Sequence, residues 1–280
     1  MDVTILSENT KQTRSKLNTE HGLSLLVEKN GNKILFDTGG PKGTVISNAK
    51  SLNLDLSQVD AVVISHGHDD HTGGLLDFFK LNDHAPVYLK KEALNCHYTG
   101  KSLNKKFIGM DLKIIDDYND RLKFVDGTLE ILDGIFIIPN ISKTFPIPST
   151  NRILFTKDGN HFLNDKFDHE LFMGVKNNNE LTLFSGCGHS DIRNIIIKAK
   201  EVFPDAEIKN IIGGFHFQAG EISSFTAKKE EIKDTSLWIK SAGVEKVYTG
   251  HCTGKYGFEI MQSILNESIE QFYTGKHITI

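Results

Sequence analysis

Cysteine is scarce in this chain: Cys96, Cys187 and Cys252 are all it has, an odd number with no C-x-x-C spacing. That excludes a disulfide framework and points to a reducing compartment. A run of about 18 apolar residues is missing, so no segment reads as a membrane-spanning helix. The first residues, Met1-Asp2-Val3-Thr4-Ile5, carry neither a basic stretch nor a long apolar one, so no secretory leader is expected and the cytoplasm is the expected location. The net charge of −4 comes without any basic stripe, which argues against a nucleic-acid footprint. A G-x-S-x-G nucleophile elbow is also missing, so serine-based acyl transfer is not indicated. Trp238, the only tryptophan, lies in a helically periodic stretch and reads as a core-facing aromatic.

What the chain does have is concentrated in one stretch, Ser65-His66-Gly67-His68-Asp69-Asp70-His71-Thr72-Gly73-Gly74. It follows the apolar, β-branched run Ala61-Val62-Val63-Ile64, which reads as a buried strand. Leu75-Leu76-Asp77-Phe78-Phe79 then opens a helix. The cluster therefore sits on a strand-to-helix loop, where α/β proteins place their sites. His66 and His68, two apart in extended backbone, can point to one side. Imidazole suits zinc, iron and related metals. Asp70 and His71 can turn toward a second metal about 3.5–4 Å from the first, the spacing of two-metal hydrolytic sites.

At 280 residues the chain is expected to form one α/β domain, with an inserted segment at about 97–167 near the active site. Strands are expected at 3–6, 23–28 and 33–36, the last two closing a hairpin around Asn30-Gly31. Residues 10–21 are polar and aperiodic and read as a mobile loop. A surface helix is expected over 43–54 and a strand over 85–89. The insertion reads as β-rich, with short runs at 112–115, 122–125, 129–132 and 135–138, and its His97 and His161 are expected at the surface. A second hairpin, 171–175 with 181–184, echoes the first, since 33–40 and 181–188 both run from turn to apolar strand to glycine-flanked polar residue. Helices follow over 191–203, 227–242 and 258–272, with strands at 208–212 and 244–248 between them.

Five apolar strands thus end in glycine-rich loops. These carry Asp37, the His66–His71 cluster, Cys187 with His189, His216, and His251. Each alone has a bland explanation as a turn or a hydrogen-bonded side chain. Together they suggest one shared metal pocket, and the intervening helices imply sheets covered by helices.

The H-x-H-x-D-H signature at His66, His68, Asp70 and His71, with the strand-end Asp37 before it, resembles the metallo-β-lactamase superfamily. The combination His71-Thr72-Gly73-Gly74, Gly186-Cys187-Gly188-His189-Ser190, Gly213-Gly214-Phe215-His216 and Thr249-Gly250-His251-Cys252-Thr253-Gly254 is similar to its dihydropteroate-synthase-like branch. That branch includes archaeal enzymes named for making a ribofuranosylaminobenzene-phosphate pterin. The resemblance implies a four-layer αββα sandwich with two divalent metal ions at one edge, zinc first, with iron, manganese or magnesium as alternatives. It implies His66 and His68 on one metal, and Asp70, His71 and His251 on the other, with Asp37 orienting a ligand histidine. The family's bridging aspartate is replaced: Cys187 stands at that strand end, with His189 two residues on. His189 is the favoured ligand, Cys187 a coordinating or nearby thiol. His169 or Glu170 is a candidate for the remaining position, and His216 for binding substrate or metal and for a catalytic role beside Asp70.

The chemistry implied is metal-assisted hydrolysis of an ester, phosphoester or lactone by activated water. Two alternatives stay open: a transferase acting on a pterin diphosphate, and a metal-poor binding or regulatory protein. A di-iron redox site fits less well, because relatives of that kind have a glutamate where this chain has His68 and carry a flavin domain. The expected partner is a small molecule, phosphorylated or ester-containing, rather than nucleic acid or membrane. A homo-oligomer is compatible with all of this.

Overall fold

A computed structural model describes residues 1–101, 104–220 and 225–280. It divides into two compact units: Met1–Val125 with Leu154–Asn164 and Tyr273–Ile280, and Asp126–Ile153 with Asp165–Phe272.

The first unit is built on a seven-stranded sheet in the order His277–Thr279, Asp2–Ser7, Ser24–Lys29, Asn32–Phe36, Ala61–Val63, Val87–Leu89, Leu122–Phe124. Pairing is antiparallel up to Asn32–Phe36 and parallel beyond it. The switch follows from the connections. Asn30 and Gly31, both at positive φ (52° and 86°), close a two-residue hairpin, the geometry that Asn-Gly favours. Parallel neighbours need a crossover, and the helices Thr44–Ser51 and Leu75–Leu81 supply the first two. They pack on the sheet through Val45, Ala49, Leu75, Phe78 and Phe79 against Leu26, Leu35 and Val62. Each such side chain, fully buried, stabilises the fold by about 1.5–3 kcal/mol. A smaller antiparallel sheet, ordered His161–Asn164, Leu154–Asp158, His97–Lys101, Asn104–Phe107, belongs to the same unit.

The second unit repeats the plan. Its sheet runs Ile269–Gln271, Lys246–Thr249, Glu207–Gly213, Glu180–Phe184, Phe172–Asn177, Ile135–Ile138, Leu129–Leu132. The hairpin Phe172–Asn177/Glu180–Phe184 is again followed by parallel strands. Helices Ile192–Val202, Lys229–Ser241 and Gly254–Leu265 cover it, with Ile195, Ile196, Ile232, Ile239 and Met261 in one core with Leu183, Ile211 and Val247. Trp238 lies at the edge of that core, edge-to-face on Phe145. The echo between the two hairpins in the sequence is therefore an echo of topology.

Several expectations need correcting. Residues 112–115 do not form a strand. Asp111 Oδ1 accepts the Lys113 N–H at 3.0 Å and a short helix, Lys113–Tyr118, follows, with Ile114 in the core. The last helix stops at Leu265, where Asn266 turns to φ 51°. Asparagine tolerates this left-handed cap better than most residues. Two strands follow it, and the final one returns to pair with the first, closing the first unit's sheet edge. Within the 97–167 segment, 97–125 and 154–164 belong to the first unit, and 126–153 and 165–167 to the second. His97 is fully buried, whereas His161 is exposed as expected. The 10–21 loop is anchored, not loose. Asn48 accepts the Asn18 N–H and donates to the Asn18 and Leu6 carbonyls, and the buried Glu20 carboxylate takes the Ser7 hydroxyl and the Gly40 N–H.

Candidate metal centre

In the first unit the parallel strands Asn32–Phe36 and Ala61–Val63 end side by side, and their loops carry the chemistry. Asp37, at φ 59°, is held in the left-handed region, which an aspartate accepts at a cost. Its fully buried carboxylate works as a hub. Oδ1 accepts the Ser65 N–H at 2.7 Å, and Oδ2 accepts the Ser65 hydroxyl at 2.7 Å. Oδ2 also lies 2.7 Å from His71 Nδ1. Because the Ser65 hydroxyl gives its proton to Asp37, it can only accept from His66 Nδ1, 2.9 Å away. Both imidazoles are thereby set as Nδ1–H tautomers, an assignment made from the hydrogen-bond network. Their Nε2 atoms carry the lone pairs. Carboxylate-to-histidine support of this kind is what fixes metal ligands.

His66, His68 and Asp70 each offer a ligand atom within 4.8 Å of the others. The ring centroids of His66 and His71 are 4.1 Å apart, and Asp70 Oδ2 is 3.6 Å from His71 Nε2. The spacing arises from a change of backbone. His68 is extended, and the chain then turns into the single helical turn Asp69–Thr72, so Asp70 and His71 swing back toward His66. Gly67 makes the loop possible, since a Cβ there would run into the Ala93 backbone and His97 Nε2. Three further contributors are not visible in the motif: Ser65, His21, whose Nε2 is 3.3 Å from Asp70 Oδ2, and His97, whose ring stands edge-on to His68 at 5.6 Å. Desolvation, and then the charge of Asp70, push the Asp69 carboxyl up to about 6.

The second unit has its own strand-end cluster. His189 Nδ1 is 2.8 Å from Asn151 Oδ1, and the Asn151 amide donates to the His189 carbonyl at 2.8 Å. This again directs the Nε2 lone pair outward. Phe167 stacks on the His189 ring at 4.5 Å with planes 4° apart. Glu170 does something other than present itself as a ligand: its two oxygens accept the N–H groups of His189 (2.7 Å) and Ser190 (2.6 Å). Burial raises its pKa to about 7 in spite of those bonds. His169 is buried against Asp165, 3.3 Å away. His216 (φ 46°) and His251 (φ 50°) are both left-handed and buried, each directly past a parallel strand. His216 lies 4.1 Å from His189, ring to ring. Cys187, His216 and Cys252 form a further ligand-type group within 4.8 Å. The Cys252 thiol is desolvated, which alone would raise its pKa. Hydrogen bonding with Cys187 and His216 and the nearby His251 and His216 charges draw it well below the thiol range.

The donor sets fit metal ions: buried imidazoles with their tautomers fixed, a partly screened carboxylate, and thiols. No helix among the described residues is long and apolar enough to cross a membrane.

A model of the metallo-beta-lactamase superfamily matches residues 17–153, which include Asp37 and the whole His66–His71 cluster. The chain is 26% identical, over 98% of its length and 94% of the relative's, to a Methanocaldococcus jannaschii protein named 7,8-dihydropterin-6-methyl-4-(beta-D-ribofuranosyl)-aminobenzene-5'-phosphate synthase. It is 28% identical to an uncharacterized protein of the same organism, over 90% of each chain. A crystal structure of a metal-dependent hydrolase of the beta-lactamase superfamily superposes with a TM-score of 0.83 at 29% identity, covering 100% of this chain and 99% of that one. Zinc-bound PqqB from Methylobacterium extorquens, at 12% identity and a TM-score of 0.61 with both chains fully covered, shares the fold alone. Residues 17–153 carry the metallo-beta-lactamase superfamily match, and the chain as a whole has the mixed α/β fold, sheets flanked by helices, of that superfamily's metal-dependent hydrolases.

Proposed function

We propose that the protein is a hydrolase that uses two divalent metal ions, zinc first, to cleave an ester, phosphoester or lactone. The observation that carries this reading is the Asp37 hub. One buried carboxylate sets His71 directly and His66 through Ser65. A loop of merely structural histidines has no need of such support. His66 and His68 are assigned to one metal, Asp70 and His71 to the other, and the family pattern adds His189 and His251 to the ligand set. When bound, the metals supply Lewis acidity and lower the pKa of water toward about 7. Asp70, steadied by His21, orients the attacking water; Asp37 and Asn151 hold imidazoles in place. Glu170 is assigned a supporting role beneath His189, not a place on the metal.

A second reading, transfer of a pterin from its diphosphate to an amine with diphosphate as leaving group, is favoured by the name of the Methanocaldococcus relative, which aligns over nearly the whole chain. Elemental analysis of protein purified without added metal, followed by turnover of phosphoesters, lactones and a pterin diphosphate with an amine acceptor, tests both readings. About two metals per chain with turnover of an ester or lactone is the expected result. One metal or none overturns the two-metal assignment. Turnover only with the amine acceptor moves the protein to the transferases.

A further inference from the structure

The single helical turn Asp69–Thr72 has two faces. Asp70 and His71 turn toward His66. Asp69, Thr72 and Gly73, spaced i, i+3 and i+4, share the other side of the turn. There they line a cavity of about 450 Å³ that lies wholly within the first unit. None of the assigned metal ligands lines it. We propose that this cavity is a binding site in its own right for a small, flat organic cation, an aromatic amidine or amine, held by the Asp69 carboxylate at its charged end and by apolar walls along its ring. The inference does not rest on the hydrolytic reading.

Size and lining select the ligand. Cavities of about 300–1,000 Å³ with apolar walls and a few convergent polar groups are the ones that hold small molecules. Here Leu76, Phe107, Met110, Leu112 and Ile114 supply the apolar wall. Met110 and Ile114 are buried, whereas Phe107 and Leu112 are 43% and 41% exposed, large side chains that a flat ring would cover. The charged groups are acidic. Asp69 and Asp111 line the cavity, and among the described residues no lysine, arginine or histidine does. The Thr72 hydroxyl is committed to the His68 carbonyl at 3.0 Å. No side-chain donor among the described residues is hydrogen-bonded to the half-buried Asp69 carboxylate, and Lys106 acts on it through its charge alone. A carboxylate withdrawn from water is best matched by a donor of opposite charge, and an amidinium presents two parallel N–H groups to its two oxygens.

The walls stand without a ligand. The Asp69 N–H donates to the Ile108 carbonyl at 2.7 Å, and His68 pairs with Gly109 in an isolated bridge, so the segment 107–109 is tied to the metal turn. The Phe107 ring lies against Gly109, where a Cβ would meet it at 2.7 Å. Beyond them Asp111 Oδ1 accepts the Lys113 N–H and starts the helix Lys113–Tyr118, which sets Ile114 in the wall. A site already formed spends little on ordering when it binds. A molecule seated here touches the outer side of the turn and not the metals, which makes it a second ligand and not the group that is cleaved.

The test is a titration of the full-length protein with 4-aminobenzamidine, whose fluorescence rises when water is excluded from its ring. This readout reports binding, not turnover, and so stands apart from the hydrolase assay. Saturable binding at a single site per chain is expected, with zinc present or absent. Leu76→Trp, which fills the cavity, should abolish it, and Asp69→Asn should weaken it by about tenfold or more. Absence of saturable binding in the wild type overturns the proposal, and so does full affinity in Leu76→Trp or in Asp69→Asn. Displacement of the probe by zinc, or its loss in His66→Ala, also overturns it, by assigning the probe to the metal centre. Where the variants do not fold, competition on the wild type decides. Benzamidine should displace the probe and 4-aminobenzoate, a like ring of opposite charge, should not; equal displacement by both overturns the match to a cation.

Discussion

Asp37 Oδ2 and His71 Nδ1 are 2.7 Å apart, and neither side chain is reached by solvent. The same carboxylate holds both the backbone and the hydroxyl of Ser65. Replacing Asp37 by Asn keeps the shape but turns one acceptor into a donor, which then faces the Ser65 hydroxyl, the Ser65 N–H or the His71 imidazole. Loss of this kind of ligand support weakens metal affinity by about 10–100-fold. Competition with a chelating dye should show that loss in Asp37→Asn. Unchanged affinity would mean that His71 needs no orienting partner, and the hub would lose its significance.

The Ser65 hydroxyl relays the effect to His66. Ser65→Ala removes one hydrogen bond to Asp37 and the acceptor for His66 Nδ1–H. The expected result is a smaller loss than in Asp37→Asn, with the destabilisation of about 1–3 kcal/mol that follows when a buried polar group loses its partner. Urea unfolding measures it, and a variant as stable as wild type would count against the tautomer assignment.

The sequence made much of this legible, for physical reasons. Strands such as 61–64 announce themselves by β-branched runs, and Asn30-Gly31 is a strong hairpin signal. The His66–His71 cluster is dense enough to be read without coordinates. What stayed hidden depends on tertiary proximity. His97 looks like any polar residue on an insertion, yet the fold buries it against His68. Asn151 lies far in sequence from the histidine whose carbonyl and ring it holds. Glu170 reads as a metal ligand by residue type, but its oxygens are taken by two backbone N–H groups. The helix Lys113–Tyr118 was masked by Leu112-Lys113-Ile114-Ile115, whose short apolar run cannot be told from a strand by periodicity.

Asn151 gives a prediction of its own. Its side chain takes both the ring and the carbonyl of His189, so Asn151→Ala frees the imidazole to turn on its stack with Phe167. Stability should fall by about 1–3 kcal/mol. If His189 binds metal as assigned, bound metal per chain should fall as well. A stability loss with full metal retention would remove His189 from the ligand set while leaving Asn151 as a structural residue.

Glu170 sets the last expectation, in pH. Burial raises its pKa from the ordinary 4.5 to about 7, so the folded chain holds this proton more tightly than the unfolded chain does. The stability that the proton contributes is complete below about pH 4.5 and is lost as pH rises through about 7. A shift of that size corresponds to about 3 kcal/mol. Glu170→Gln cannot titrate, so its own cost, an amide donor set against the N–H of His189 or Ser190, is the same at every pH. Unfolding free energies of wild type and variant, measured from pH 4 to pH 8, should therefore converge as pH rises, because only the wild type loses this contribution. Parallel curves would show that Glu170 is ionised throughout, its charge held by the two backbone donors against the desolvation.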